Sequence, residues 1–130
     1  MAEEPADAER IAEQIKAAID GGDLTDFETV LDPDVRWGAP GDPTPACQNR
    51  DQVLAWYTRG RASGTRAQVT ETVLWENRIL VGLIVTTARS ARELDGDANR
   101  WQVYTVRAGL IIDIAAFDSR DEAFAYAQAE

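Results

Sequence analysis

The hydrophobic period of this chain changes at about residue 66. Before it, apolar residues recur at helical spacing; after it, they alternate. Residues 5 to 20 put Ala8, Ile11, Ile15, Ala18 and Ile19 on one stripe, with Glu9, Glu13 and Lys16 opposite. Pro5 suits the first turn of that helix, and Gly21-Gly22 stops it. A short second helix, capped by Asp23 or Thr25, turns Leu24, Phe27, Val30 and Leu31 inward and ends at Pro33. "DVRW" then reads as a short strand leading into the loop "GAPGDPTPACQ". In "NRDQVLAWYTRG", Asn49 and Gln52 form a capping box, and Val53, Trp56, Tyr57 and Gly60 form the inner stripe.

Beyond the change of period, "RAQVTETVLWE" and "RILVGLIVTTARS" read as long strands joined at Glu76-Asn77. "ARELDGDANR" is a polar connection, followed by the hairpin "RWQVYTVRAGLIIDIAAFDS", turning at Ala108-Gly109. A last helix, "SRDEAFAYAQA", opens on a second capping box, Ser119 with Glu122. Helices followed by consecutive strands predict an α+β fold, one domain over residues 1–130, with a bent antiparallel sheet wrapped around the N-terminal helices. Even pairing across Ala108-Gly109 puts Trp101, Val103, Thr105, Ile112, Ile114 and Ala116 on one face. Gln102, Tyr104, Val106, Ile111, Asp113, Ala115 and Phe117 take the other.

Composition narrows the chemistry more than the fold. The 130 residues carry a formal charge of −10, which repels phosphate backbones and anionic membrane surfaces. The acidic start "MAEEPADAER" lacks the features of a signal peptide, so a cytoplasmic protein is expected. Cys47 is the single cysteine, which rules out an intramolecular disulfide. There is no histidine, so His-based metal sites and Ser-His or Cys-His nucleophile pairs are excluded. In "LDGDAN", Asp95, Asp97 and Asn99 match the first positions of a calcium loop, but Arg100 replaces its glycine and Val106 its bidentate glutamate. No metal and no cofactor are expected.

The element order, with "LDPDVRW", "CQNRDQVLAWY" and "RWQVYTVRAGLIIDIAAFD" in these places, resembles the NTF2-like superfamily and its SnoaL-like domains over residues 8 to 128. The resemblance implies a cone with a deep cavity, found in isomerases, cyclases, dehydratases, epoxide hydrolases and binding modules. In its ketosteroid isomerases the two catalytic acids would fall at about Trp37 and Trp101, and an indole cannot remove a proton. The dehydratases need histidine. The Asp-Arg-Asp set of the epoxide hydrolases meets Ala115 and Ala116 on the last strand. SnoaL-like cyclases use a lone aspartate, which points to Asp118 as the catalytic candidate, although Asp118 or Ser119 also suits a helix cap. Glu71, opposite Gly82, is a second carboxylate, better read as solvated. Cys47, near Arg50, reads better as a buried apolar filler than as a nucleophile.

In the cone, Trp37, Trp56, Tyr57 and Trp101 are expected to surround one internal space, with Cys47 close to it, suiting a small apolar or aromatic molecule held by stacking. Two functions stay open. One is a small-molecule-binding domain, extending to a cofactor-independent isomerase, cyclase or hydrolase. The other is a non-catalytic homodimeric module with a packed core. A homodimer is expected through the outer sheet face, carrying Tyr104, Val106, Ile111 and Phe117 with Leu74, Ile79, Val81, Leu83 and Val85, and with Tyr104 and Asp113 near the contact.

Overall fold

Alternation after residue 66 becomes a sheet in the computed structural model, which describes residues 3–21, 24–38, 47–86 and 98–128, with side chains from residue 9 onward except that of Ala98. The order is α1 (Glu3–Gly21), α2 (Thr25–Thr29), β1 (Leu31–Gly38), α3 (Arg50–Ala62), β2 (Arg66–Leu74), β3 (Arg78–Thr86), β4 (Ala98–Arg107), β5 (Leu110–Phe117) and α4 (Arg120–Gln128). The five strands lie in the order β1-β5-β4-β3-β2. Neighbouring pairs are antiparallel except β1, which runs parallel to β5 at the edge. The fold is an α+β cone: a curved, unclosed sheet with helices against it. No helix among the described residues is long and apolar enough to cross a membrane.

Pro33 does not end a helix; it lies inside β1, which begins two residues earlier. Proline is tolerated here because β1 is an edge strand and is irregular: five steps along it, from Leu31 to Arg36, match only two on β5. Asp32 Oδ1 accepts from the Asp34 amide at 2.8 Å within that distortion. α2 has no side-chain cap at Leu24, and Asp23 lies outside the described residues. The Asn49 cap forms, accepting from the Gln52 amide at 2.9 Å, and Gln52 Oε1 accepts from the Gln48 amide at 2.7 Å. Ser119 Oγ accepts from the Glu122 amide at 3.3 Å, so Ser119 caps α4 and Asp118 does not.

The turn between β4 and β5 falls at Ala108-Gly109, with φ of 53° and 79°, the left-handed pair that a two-residue hairpin needs. Even pairing survives for only two residue pairs. Val106 faces Ile111, but Thr105 faces Asp113, so Ile112 is an extra residue. Beyond it Tyr104 pairs with Ile114, Gln102 with Ala116 and Trp101 with Phe117. This corrects the expected faces. Tyr104, Ile111, Ile114, Ile79 and Val81 share the concave core with Ile11, Ile15, Phe27 and Val53, whereas Trp101 and Phe117 pack on the convex side.

That reassignment takes Tyr104 and Ile111 out of the surface on which a homodimer was expected. Tyr104 and Ile111 are fully buried in the concave core rather than facing outward. The convex face is covered by α4 of the same chain, which packs Ala123 and Ala127 on Leu80 and Val103. Trp75 meets Phe124 edge-on at 5.2 Å, and Phe117 meets Tyr126 at 5.3 Å. Arg120 grips Glu71 through Nε at 2.7 Å and Nη2 at 3.3 Å, while Arg78 Nη1 donates to the Tyr126 carbonyl at 2.6 Å. Gly82 makes room for this latch: a Cβ there would come within 2.9 Å of Glu71 Cγ.

The Arg120 hydrogen bonds hold the Glu71 carboxyl below its ordinary pKa, with the Trp101 indole adding to the effect. A depressed folded-state pKa stabilises the fold above the ordinary glutamate range and ceases to do so as pH falls through the folded value. Glu71→Gln is therefore expected to lower the unfolding free energy at pH 7 by up to about 1 kcal/mol, modest because the pair is partly exposed. The deficit should close on acidification. Urea titrations of both proteins from pH 7 to pH 3 check this; a deficit that is constant with pH would contradict it.

Candidate functional site

Between α1, α3 and the concave face of the sheet lies a pocket of about 590 Å³. Its walls come from each element whose inner stripe was legible: Ala18 and Ile19 of α1, Trp37 of β1, Trp56, Tyr57 and Gly60 of α3, and Leu83 and Val85 of β3. The helices and strands hold their aromatic rings in contact. Trp37 meets Trp56 edge-on at 5.1 Å and lies parallel to Tyr57 at 6.0 Å, while Phe27 buttresses Tyr57 at 5.5 Å. Trp56 is 47% exposed, so one wall is open to water. Trp37 Nε1 is buried and has no hydrogen-bond partner among the described residues. An unsatisfied buried donor is costly, and an acceptor from a bound molecule would satisfy it.

The polar end of the pocket is one the sequence did not reveal. Tyr57 and Tyr104 share a hydrogen bond at 3.3 Å, and the Tyr104 hydroxyl donates to Gln102 Oε1 at 2.5 Å. Burial pushes both phenols up, Tyr104 well above its ordinary value, while hydrogen bonds from Tyr104 and Gln102 offset part of the rise at Tyr57. At neutral pH these are protonated hydroxyls. Tyr57 and Gln102 border the pocket, so the cluster presents hydrogen-bonding groups to its contents. One sequence signal could have located it: the adjacent pair Ile111-Ile112, followed by Ile114 but not Asp113, breaks strict alternation as a bulge does.

The other expected site residues fall in different places. Trp37, Trp56 and Tyr57 come together as one aromatic wall. Trp101 borders the pocket, but its indole supports Glu71 on the convex side, because alternation along β4, paired with Ile79 and Val81 of β3, leaves Gln102 and Tyr104 as the inward residues of that strand. Cys47 bridges Trp37 through two backbone hydrogen bonds, at 2.9 and 3.0 Å, and is buried in the core behind that wall; it is not among the described lining residues. Asp118 does border the pocket, next after Ile114 and Ala116 on the inward side. Its side chain is 88% exposed and lies 3.6 Å from Arg100 Nε. Asp95 and Asp97 lie outside the described residues.

A family model of SnoaL-like domains matches residues 12–114. The chain belongs to the SnoaL-like domain family. No curated protein matches it. Among solved structures, the SnoaL-like domain is similar to a protein provisionally named a ketosteroid isomerase from Kribbella flavida DSM 17836, at 18% identity over 86% of this chain and 77% of that one, with a TM-score of 0.69. It is also similar to a protein provisionally named a SnoaL-like polyketide cyclase from Jannaschia sp. CCS1 (16% identity, 92% of both chains, TM-score 0.64). A cystatin-fold protein from Novosphingobium aromaticivorans gives 12% identity, 83% of this chain, 95% of that one and a TM-score of 0.70. These likenesses place the SnoaL-like domain in the NTF2-like fold. The matched span stops short of Ala116, Asp118 and α4.

Within the domain, burial pushes the Cys47 thiol up, and Arg59 offsets only part of that. A buried neutral thiol is a poor nucleophile. Cys47 is therefore expected to react with a thiol-specific disulfide reagent at pH 7.5 at least about tenfold more slowly in the folded protein than in urea. Equal rates in the two states would contradict its burial.

Proposed function

We propose that this SnoaL-like domain binds a small apolar, aromatic molecule in the pocket between α3 and the sheet. The observation that supports this best is a space of about 590 Å³, within the range of small-molecule sites, with a mainly apolar lining that includes Trp37, Trp56, Tyr57 and aliphatic side chains. A core closed by its own tryptophans, the competing reading, would leave no such space. Indole and phenol faces suit a flat ring system, and the Tyr57–Tyr104–Gln102 cluster suits a carbonyl or hydroxyl at one end of it.

The same reading assigns any reaction in the pocket to groups of the chain. Asp118 is the one carboxylate among the described lining residues, and it is the proton-transferring candidate. The Gln102 side-chain amide, whose Oε1 accepts from Tyr104, would direct N–H donors at negative charge developing on a substrate oxygen.

N-phenyl-1-naphthylamine, a neutral two-ring fluorophore, tests the binding reading. Its emission should rise on titration with the protein, with energy transfer from the pocket tryptophans and a Kd in the micromolar range. Ala116 is exposed and borders the pocket, so Ala116→Trp should fill the space and abolish binding while leaving the circular dichroism spectrum and the urea midpoint in place. No binding to the wild type, or binding that survives the substitution, would sink this reading.

A further inference from the structure

The described charges around the pocket have the opposite sign to the protein. Three of its 13 basic residues, Arg61, Arg66 and Arg100, border the space, against one of its 23 acidic residues, Asp118. In a chain of formal charge −10, an apolar space edged mainly by guanidinium groups is a local reversal of the field. We propose that the molecule held here is an apolar aromatic acid, its anionic group seated at the open end of the pocket on Arg61 and Arg100. This rests on the ligand-binding reading above and adds the chemical class.

The three arginines are not equivalent. Arg66 Nη1 donates to the Arg61 and Thr65 carbonyls at 3.0 and 2.8 Å, so it serves to close the end of α3. That closure matters for an anion, because a helix C-terminus presents carbonyl oxygens that would repel it. Here the Arg59 carbonyl accepts from the Ser63 amide, the Gly60 carbonyl from the Thr65 amide, and the Arg61 carbonyl from the Gly64 amide, between 2.9 and 3.1 Å. Three of the repelling oxygens are thus occupied. Arg61 is half-buried and has no partner for its guanidinium among the described residues. Arg100 is half exposed, donating through Nη1 to the Asn99 carbonyl at 3.0 Å and facing Asp118 at 3.6 Å. An exposed pair at that distance is weak and easily displaced by a better acceptor.

The strand sets the length of the ligand. Arg100 and Gln102 lie two residues apart on the same face of β4, opposite Leu83 and Val81, which separates them by about 7 Å. An acid with its anionic group at Arg100 thus carries a ring system along the indole wall and brings its far end toward the Gln102–Tyr104–Tyr57 cluster. A two-ring or larger acid matches that span.

A pair of probes isolates the charge. 8-Anilinonaphthalene-1-sulfonate carries the same rings as N-phenyl-1-naphthylamine plus one sulfonate. The wild type should bind the sulfonate more tightly than the neutral probe, and that preference should shrink between 20 mM and 500 mM salt, where screening lengths fall to a few ångström. Arg61→Gln and Arg100→Gln should each lower the ratio of sulfonate to neutral affinity by about three- to fivefold. Asp118→Asn, which removes the competing carboxylate, should raise it. A ratio near one in the wild type, or one that neither arginine substitution lowers, overturns the acid assignment while binding of the neutral probe leaves the pocket reading standing. Sulfonate binding that survives Ala116→Trp also overturns the assignment, since the anion then sits elsewhere. Failure of both probes to bind removes both readings together.

Discussion

One residue, Ile112, decides which side chains the last strand turns inward. Side chains alternate along a strand, so an added residue exchanges the faces of every later residue of that strand. The extra residue in β5 lets Ile111 and Ile114 face the same way, although three positions separate them, and both are buried in the concave core. Their partners on β4 are Val106 and Tyr104, two residues apart on one face of that strand, and the tyrosine reaches the Tyr57 hydroxyl from there. Without the bulge, Asp113 rather than Ile114 would lie opposite Tyr104 and face the core, and Phe117 rather than Ala116 would follow it inward. The apolar surroundings of the two phenols and the open space beside Gln102 are a consequence of register.

The same shift gives the convex face its character. Trp101 and Phe117, paired across β4 and β5, become a platform with Leu80 and Val103, and α4 closes over it. The closure is specific at its edge: Glu71 takes both Arg120 donors, and the absence of a side chain at Gly82 leaves the carboxylate room. A cone whose outer apolar face is covered by its own last helix has less need of a second copy to exclude water from that face. The two cores lie back to back on one sheet, so the strand residues that wall the pocket are held from behind by α4.

Much of this was legible in the sequence. The helical stripes of α1 and α3 placed Ile11, Ile15, Val53 and Tyr57 correctly, and the Asn49 and Ser119 caps formed where side-chain chemistry required them. The α+β class, the turn at Ala108-Gly109 and the pairing of Glu71 with Gly82 were equally readable, because each depends on local pattern. What was not readable depends on register over distance. Even pairing from a correct turn groups Ile114 with Trp101 and Phe117 with Tyr104, which makes the Trp101 face the more apolar one, and the expected cavity wall and dimer surface both follow from that choice of face. β1 hid itself differently: Pro33 signals a break, yet an irregular edge strand accommodates it. The arginines around the pocket escaped notice because they come from α3, β2 and β4 and meet only in the folded chain.

The pocket reading and the acid proposal both assume that Tyr104 and Gln102 face α3. Proton–proton contacts in a ¹³C,¹⁵N-labelled sample measure this without any ligand. Cross-strand contacts should connect Tyr104 with Ile114 and Gln102 with Ala116, and the Tyr104 ring should contact the Tyr57 ring. Contacts linking Tyr104 to Asp113 and Trp101 to Ala116 would show an unbulged hairpin, and a Tyr104 ring remote from Tyr57 would put the cluster on the wrong face; either result contradicts the account at its base.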